Sequence, residues 1–209
     1  MIKGIDISNN NWDYLATHDF APIRDGDGFV IMKASEGRTY KDRLVNLYYA
    51  VLHGQIDGPE RERLYGFYHY ARPENGNRPE DEALNFWQVA GRHRGYALFA
   101  LDVEGAALSL SFDDLDSWVY KWCKFIYDLS GVKPLIYCSA SASKRFPSAA
   151  AMDCGLWVAK WGKAKPAKKD LGKFPFWALW QNSNGGGVLD TDYFNGTAEQ
   201  FRAYAKVQL

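Results

Sequence analysis

Seven short apolar runs, at residues 2–8, 29–35, 64–70, 98–103, 135–139, 156–161 and 176–181, are each bounded by polar or glycine-rich sequence. Their length and lack of alternation suit strands buried on both faces, as in a mostly parallel sheet. Helical patterns lie between several of them. In residues 112–129, Leu115, Trp118, Val119, Trp122, Ile126 and Leu129 fall at helical spacing, with Ser111 placed to cap, Asp114 three residues later and Gly131 past the end. Residues 79–90 read the same way, with Pro79 in the first turn, Glu80, Asp81 and Glu82 favouring the helix dipole, and Gly91 as the stop. A last helix starts at Thr197, where Gln200 completes a capping box. Strand then helix, repeated, predicts an α/β fold closed as a modified (β/α) TIM-like barrel. The chain's 209 residues are fewer than the roughly 250 of a full eight-fold barrel, so some outer helices are expected to be missing or reduced. The lysine-rich stretch 160–173 is the candidate for an irregular loop in place of one.

Carboxylates recur at the ends of these runs. In Leu101-Asp102-Val103-Glu104 the two acids sit at i and i+2, so on a strand they share one face while Leu101 and Val103 share the other. The segments Gly4-Ile5-Asp6-Ile7-Ser8, Lys33-Ala34-Ser35-Glu36-Gly37 and Leu189-Asp190-Thr191-Asp192 repeat the design. A barrel gathers such strand ends at one rim. Acids held close together raise the proton affinity of at least one of them, which a general acid near neutral pH requires, and glycoside hydrolysis is the chemistry that asks for such a pair. One proton is therefore expected to stay among acids gathered in this way, above their free pKa values. Taken alone, an Asp-x-Glu is more often a solvated strand end; the three companion segments give it weight.

Composition narrows the partners. Lysine plus arginine and aspartate plus glutamate each number 25, so the formal net charge is zero and nothing global favours nucleic acid or an anionic membrane. Hydrophobic residues make up 47%, enough for one sizeable core, and we read residues 1–209 as a single domain. Cys123, Cys138 and Cys154 show neither disulfide nor zinc spacing and read as small buried residues. No apolar stretch approaches the ~18 residues of a membrane span, and no export signal is visible. Aromatic residues reach 16%, an excess that serves either sugar stacking or packing.

With these residues in place, the chain resembles the glycoside hydrolase family 25 lysozymes, the muramidases of bacterial autolysins and phage endolysins. The resemblance runs over nearly the full length, through Gly4-Ile5-Asp6-Ile7-Ser8, the segment from Phe29 to Gly37, Tyr65-Gly66-Phe67-Tyr68-His69-Tyr70-Ala71-Arg72-Pro73, Leu101-Asp102-Val103-Glu104, Ile136-Tyr137, Leu156-Trp157-Val158-Ala159, Leu179-Trp180-Gln181 and Val188 to Gly196. It departs at Asp192, where the family more often has asparagine. The resemblance implies hydrolysis of peptidoglycan between N-acetylmuramic acid and N-acetylglucosamine, without metal or organic cofactor, on the bacterial cell wall, extracellularly or after release on lysis, and a monomer is expected. It implies Glu104 as proton donor, and so as the expected holder of the cluster's proton, with Asp102 either orienting the substrate's acetamido group or helping to activate water, and Asp6 and Asp190 around the anomeric centre. The two backbone positions are roughly 6.6 Å apart at about 3.3 Å per residue, which leaves retention and inversion both open.

Tyr68, Tyr70, Tyr137, Trp157, Trp180 and Gln181 are the candidates for a sugar groove, with core packing the alternative for each aromatic. Lys33 and Glu36 either bind substrate or neutralise each other. His69 lies between two tyrosines on a strand, so it faces away from them and reads as a satisfied buried histidine; Arg72 is a weaker groove candidate. Residues 182–187 read as a rim loop, and the Lys163, Lys165, Lys168 and Lys169 group as a solvated face, with attraction of anionic wall polymers the less favoured reading. Two other functions fit the same fold: a silent carbohydrate-binding barrel, disfavoured because the acids are all present, and a chitinase-like hydrolase, disfavoured because Phe99, Ala100 and Leu101 stand where a longer acidic run is expected.

Overall fold

The structure, a computed structural model, describes residues 1–26, 28–54 and 63–207. Along them run β1 (Ile2–Ile7), α1 (Trp12–Thr17), α2 (Ala21–Arg24), β2 (Phe29–Glu36), β3 (Tyr40–Lys41), α3 (Val45–Leu52), β4 (Leu64–Tyr70), α4 (Pro79–Ala90), β5 (Leu98–Asp102), α5 (Phe112–Ser130), β6 (Leu135–Ser139), α6 (Pro147–Ala151), β7 (Gly155–Ala159), β8 (Leu179–Ser183), β9 (Asp190–Phe194) and α7 (Ala198–Ala205). The helix ends follow from local chemistry. Ser111 Oγ accepts the Asp114 N–H at 3.2 Å and Gly131 closes α5 at φ 70°. Thr197 and Gln200 exchange the two bonds of a capping box at the start of α7.

Eight strands close into a barrel in the order β1-β2-β4-β5-β6-β7-β8-β9, while the two-residue β3 extends β2 as a hairpin edge. From β1 through β8 neighbouring barrel strands are parallel, and β9 alone runs antiparallel to both β8 and β1. This corrects one detail of the expected layout. Asp190 lies at the N-terminal end of its strand, and reaches the same rim as Asp6 because that strand is reversed. The last two apolar runs are also offset from the strands they announced, since β7 ends at Ala159 and β8 begins at Leu179, beyond Pro175, which has no N–H for a ladder.

The outer layer buries Leu115, Val119, Trp122 and Ile126 of α5 against Phe99, Leu101 and Ile136 of the sheet. Inside the barrel lie Ile31, Leu98, Ala100, Leu135 and Leu179. The N-terminal end is plugged by Phe201 of α7, whose ring centroid stands 5.2 Å from Phe29 and 5.1 Å from Phe194. That leaves the C-terminal rim as the open end. The expected loss of outer helices falls on the last crossovers: β7 to β8 holds a single 3-10 turn at Lys168–Asp170, and β8 to β9 is a hairpin with a turn at Gly185–Gly187. The three cysteines are buried free thiols.

Candidate active site

At the C-terminal rim a cleft of about 240 Å³ is lined by Asp6, Asp102, Glu104 and Asp190 together with Lys33, Tyr68, Tyr70, Tyr137, Trp157 and Gln181. Asp6 is the penultimate residue of β1 and pairs in register with Asp190. Asp102 is the last residue of β5; Glu104 stays extended at φ −148°, ψ −173° just beyond it, so the i, i+2 alternation carries both acids into the cleft while Val103 is buried behind them. The chain then turns away at Gly105, φ +56°, where a Cβ would stand 2.9 Å from the Tyr70 hydroxyl. A larger cavity of about 610 Å³ at the opposite end, beside Gly4, Phe29 and Arg63, has no carboxylate among the described residues that line it.

One amide ties the acids together. Gln181 Nε2 donates to Asp6 Oδ2 at 2.9 Å and to Asp190 Oδ2 at 3.1 Å, while its Oε1 accepts from Tyr137 OH at 2.9 Å and Trp161 Nε1 at 3.2 Å. The amide's orientation is thereby fixed, since its oxygen meets only donors and its nitrogen only acceptors. A fifth acid lies below. Asp192 is fully buried and accepts Trp157 Nε1 at 2.7 Å; its other oxygen, near Asp6, is buried with no hydrogen-bond donor among the described residues.

Electrostatics act on all five acids in one direction. Burial, then the charge of Asp190, pushes the Asp6 pKa up to about 7. Burial, then Glu104 and Asp6, holds Asp102 well above the carboxylate range, and burial does the same to Asp192. Burial and then Asp190 raise Glu104; burial raises Asp190. Glu104 is therefore not the single proton holder expected from the sequence. It is half-buried at the mouth, and desolvation weighs more on Asp6, Asp102 and Asp192 because they lie deeper. Asp102 Oδ1 is buried with no hydrogen-bond partner among the described residues. Nor do any three acid, histidine or cysteine side chains among them group as a metal site.

Two groove assignments are corrected. Trp180 points out of the barrel, packs on Trp177 and Tyr193 and donates to the Lys160 carbonyl at 2.7 Å; adjacent strand residues face opposite ways, so it and Gln181 cannot both enter the cleft. Glu36 is absent from the cleft lining, its carboxylate taken by Lys33 at 2.6 Å and Arg72 at 2.6 Å. Against burial, which raises it, hydrogen bonds from those two cations hold the Glu36 pKa low. The pair depends on a bulge: the register shift between Lys33 and Ser35 lets residues three apart meet on one side. Lys33 itself does line the cleft. Tyr70 carries both cations over its ring, Lys33 Nζ at 4.9 Å and the Arg72 guanidinium at 4.6 Å.

Tyr68, Tyr137 and Trp157 form the floor and not a flat platform. Trp157 is 1% exposed and packs edge-on against Tyr137 at 4.9 Å and Tyr68 at 6.2 Å. His69 faces the opposite way, as expected, between Ser35 Oγ at 2.8 Å and Glu82 Oε2 at 2.9 Å, and burial lowers its pKa. The sequence reading missed Ser8, Asn10, Asn11 and Gly187 in the lining, and the exposed Trp161 bonded to Gln181. Trp161 had a signal: it follows Trp157 and Ala159 at the same strand parity.

The arrangement has counterparts. The lysozyme of Streptomyces coelicolor shares the fold with a TM-score of 0.77 at 26% identity, over 100% of this chain and 98% of that one. A family 25 lysozyme from Aspergillus fumigatus gives 0.76 at 28% identity, over 98% and 99%. In sequence, the N,O-diacetylmuramidase of Arthroderma benhamiae is 25% identical across 98% of this chain and 87% of its own length. The model of the family described as Glycosyl hydrolases family 25 matches residues 5–191, and with that span matched on a barrel of this build, the chain belongs to that family.

Proposed function

We propose that residues 1–209 form one catalytic domain that hydrolyses peptidoglycan, cutting the β-1,4 bond between N-acetylmuramic acid and N-acetylglucosamine, with Glu104 as general acid and Asp102 assisting. The observation that carries this reading is the convergence of Asp6, Asp102, Glu104 and Asp190 on one cleft, with Glu104 half-buried there and raised in pKa. A protonated Glu104 donates to the glycosidic oxygen as the bond to the anomeric carbon breaks. Asp102 Oδ1, without a partner among the described residues, meets the acetamido N–H of the sugar or the attacking water. Asp6 and Asp190, held by Gln181, set the charge around the anomeric centre. The bacterial cell wall is then the place of action; no described helix is long and apolar enough to cross a membrane.

Mass spectrometry of purified peptidoglycan digested by the wild type and by Glu104→Gln tests the reading. New reducing ends on N-acetylmuramic acid, lost in the variant, are expected. New ends on N-acetylglucosamine would make the enzyme a glucosaminidase, and binding without cleavage by either protein would make it a carbohydrate-binding barrel.

A further inference from the structure

We propose that the helix-less crossover from β7 to β8, with Lys144 beside it, is a basic surface on the cleft rim that binds the carboxylates of the peptide stems borne by the glycan; this rests on the function proposed above. Residues 160–176 contain six lysines and one acid, in a chain whose charges as a whole balance to zero. The single acid is used internally, since Asp170 accepts Lys160 Nζ at 2.7 Å and the Ala167 N–H at 2.7 Å. Lys163, Lys165, Lys169 and Lys173 are exposed and have no acid at ion-pair distance among the described residues. On the long helices the chain does otherwise: Arg78 meets Asp81 at 2.6 Å and Lys124 meets Asp128 at 2.7 Å, each within a turn. Crowding unpaired like charges on one loop costs repulsion that those pairs avoid.

The loop is anchored to the cleft. The N–H groups of Lys160 and Gly162 donate to the Gln181 and Asn182 carbonyls at 3.1 and 2.8 Å, and the 63% exposed Trp161 reaches Gln181, which holds Asp6 and Asp190. Farther on, Gly172, φ +57°, presses on the turn after β6; a Cβ there would stand 2.4 Å from the Ser143 carbonyl oxygen, next to the exposed Lys144. The lysines thus flank one side of the cleft. Next to the crossover, Asn10, Asn11 and Gly187 line the cleft without charge. A glycan in the cleft is neutral along its rings, but its peptide stems leave over the rim and carry free carboxylates. Flexible ammonium point charges suit mobile carboxylates, where a rigid guanidinium fork would demand fixed geometry.

The experiment compares kcat/KM on stem-bearing glycan strands and on the same strands stripped of peptide and amidated at the lactyl carboxylates thereby freed, for the wild type and for the triple variant Lys163→Gln, Lys165→Gln, Lys169→Gln. The variant is expected to lose roughly tenfold on stem-bearing strands at low salt and to stay within about twofold on stripped ones, with ~0.3 M salt reproducing the loss in the wild type. An unchanged ratio between the two substrates would overturn the proposal, as would an equal loss on both. Cosedimentation of Glu104→Gln with the two kinds of strand, with and without the three lysine substitutions, reads the surface without turnover. Should the wild type cut neither strand, the hydrolase reading fails, and this binding comparison still decides whether the lysines select stem-bearing glycan.

Discussion

Replacing Asp192 with asparagine tests the electrostatic account of the site most directly. Two carboxylates within hydrogen-bond reach need a proton between them, and the buried Asp192 carries it toward Asp6 while Trp157 donates to its other oxygen. Asparagine keeps both contacts, an oxygen for the indole and an N–H for Asp6, but cannot ionise. In the unfolded chain an aspartate loses its proton near 3.9; in the fold, burial holds the Asp192 pKa well above that. A raised acid pKa stabilises the fold fully below the unfolded value, and that contribution is lost as pH rises toward the folded one, at about 1.4 kcal/mol per pH unit for one proton. The variant escapes this loss. Its advantage over the wild type should be near zero at pH 4 and grow with pH at up to about 1.4 kcal/mol per unit for as long as Asp192 keeps its proton, each kcal/mol appearing as about 2–4 °C in Tm for a chain of this size. Calorimetric melts of both proteins from pH 4 to 7 measure it. Curves that run parallel would show Asp192 ionised in the fold and refute the reasoning.

Tyr137→Phe removes the hydroxyl that donates to Gln181 at 2.9 Å; with Trp161 still donating to the same oxygen, the melt should fall by only about 0.5–1.5 kcal/mol, while kcat/KM on glycan drops because the amide that holds Asp6 and Asp190 loosens. Trp180→Ala should do the reverse, lowering stability by about 3–5 kcal/mol while KM on glycan holds, because this indole packs outside the barrel. In Glu36→Gln, Lys33 loses its partner at 2.6 Å and turns its charge on Asp102 and Glu104, whose proton affinity it already lowers. The alkaline limb of the pH-rate profile, where Glu104 loses its proton, should then move to lower pH; a limb that stays put or rises contradicts the coupling.

What could be read from the sequence was whatever depends on neighbours along the chain. The bounds of α4 and α5 followed from apolar spacing and from Pro79, Ser111 and Gly131. Carboxylate placement followed from strand parity, which put Asp102 and Glu104 on one side. Parity applied consistently would also have separated Trp180 from Gln181. Three features depend on partners distant in sequence and left no local sign. The reversed direction of β9 comes from the hairpin that replaces a helical crossover. The bulge that unites Lys33 with Glu36 shows only in the pairing of β2 with β4. The burial of Asp192 beneath Asp6 arises from closure of β9 onto β1, with Gly4 opposite it.

These three features together decide how the cleft can be rich in protons. Among the described residues Lys33 is the one cation in the lining, and the bulge gives its charge to Glu36. Asp6, Asp102, Glu104, Asp190 and Asp192 therefore lie where desolvation outranks attraction to any cation, and every one of them is pushed toward its neutral form. A cation free to enter this space would stabilise the carboxylates as anions and remove the acid that glycoside cleavage needs. The same constraint bears on where unpaired lysines can be placed. On the rim loop, Lys163, Lys165 and Lys169 are exposed to solvent, where their field at the buried acids is screened within about 8–10 Å. A family 25 barrel that binds a charged polymer through its surface and breaks a neutral bond inside must keep its cations outside the cleft, and the helix-less crossover gives them that position.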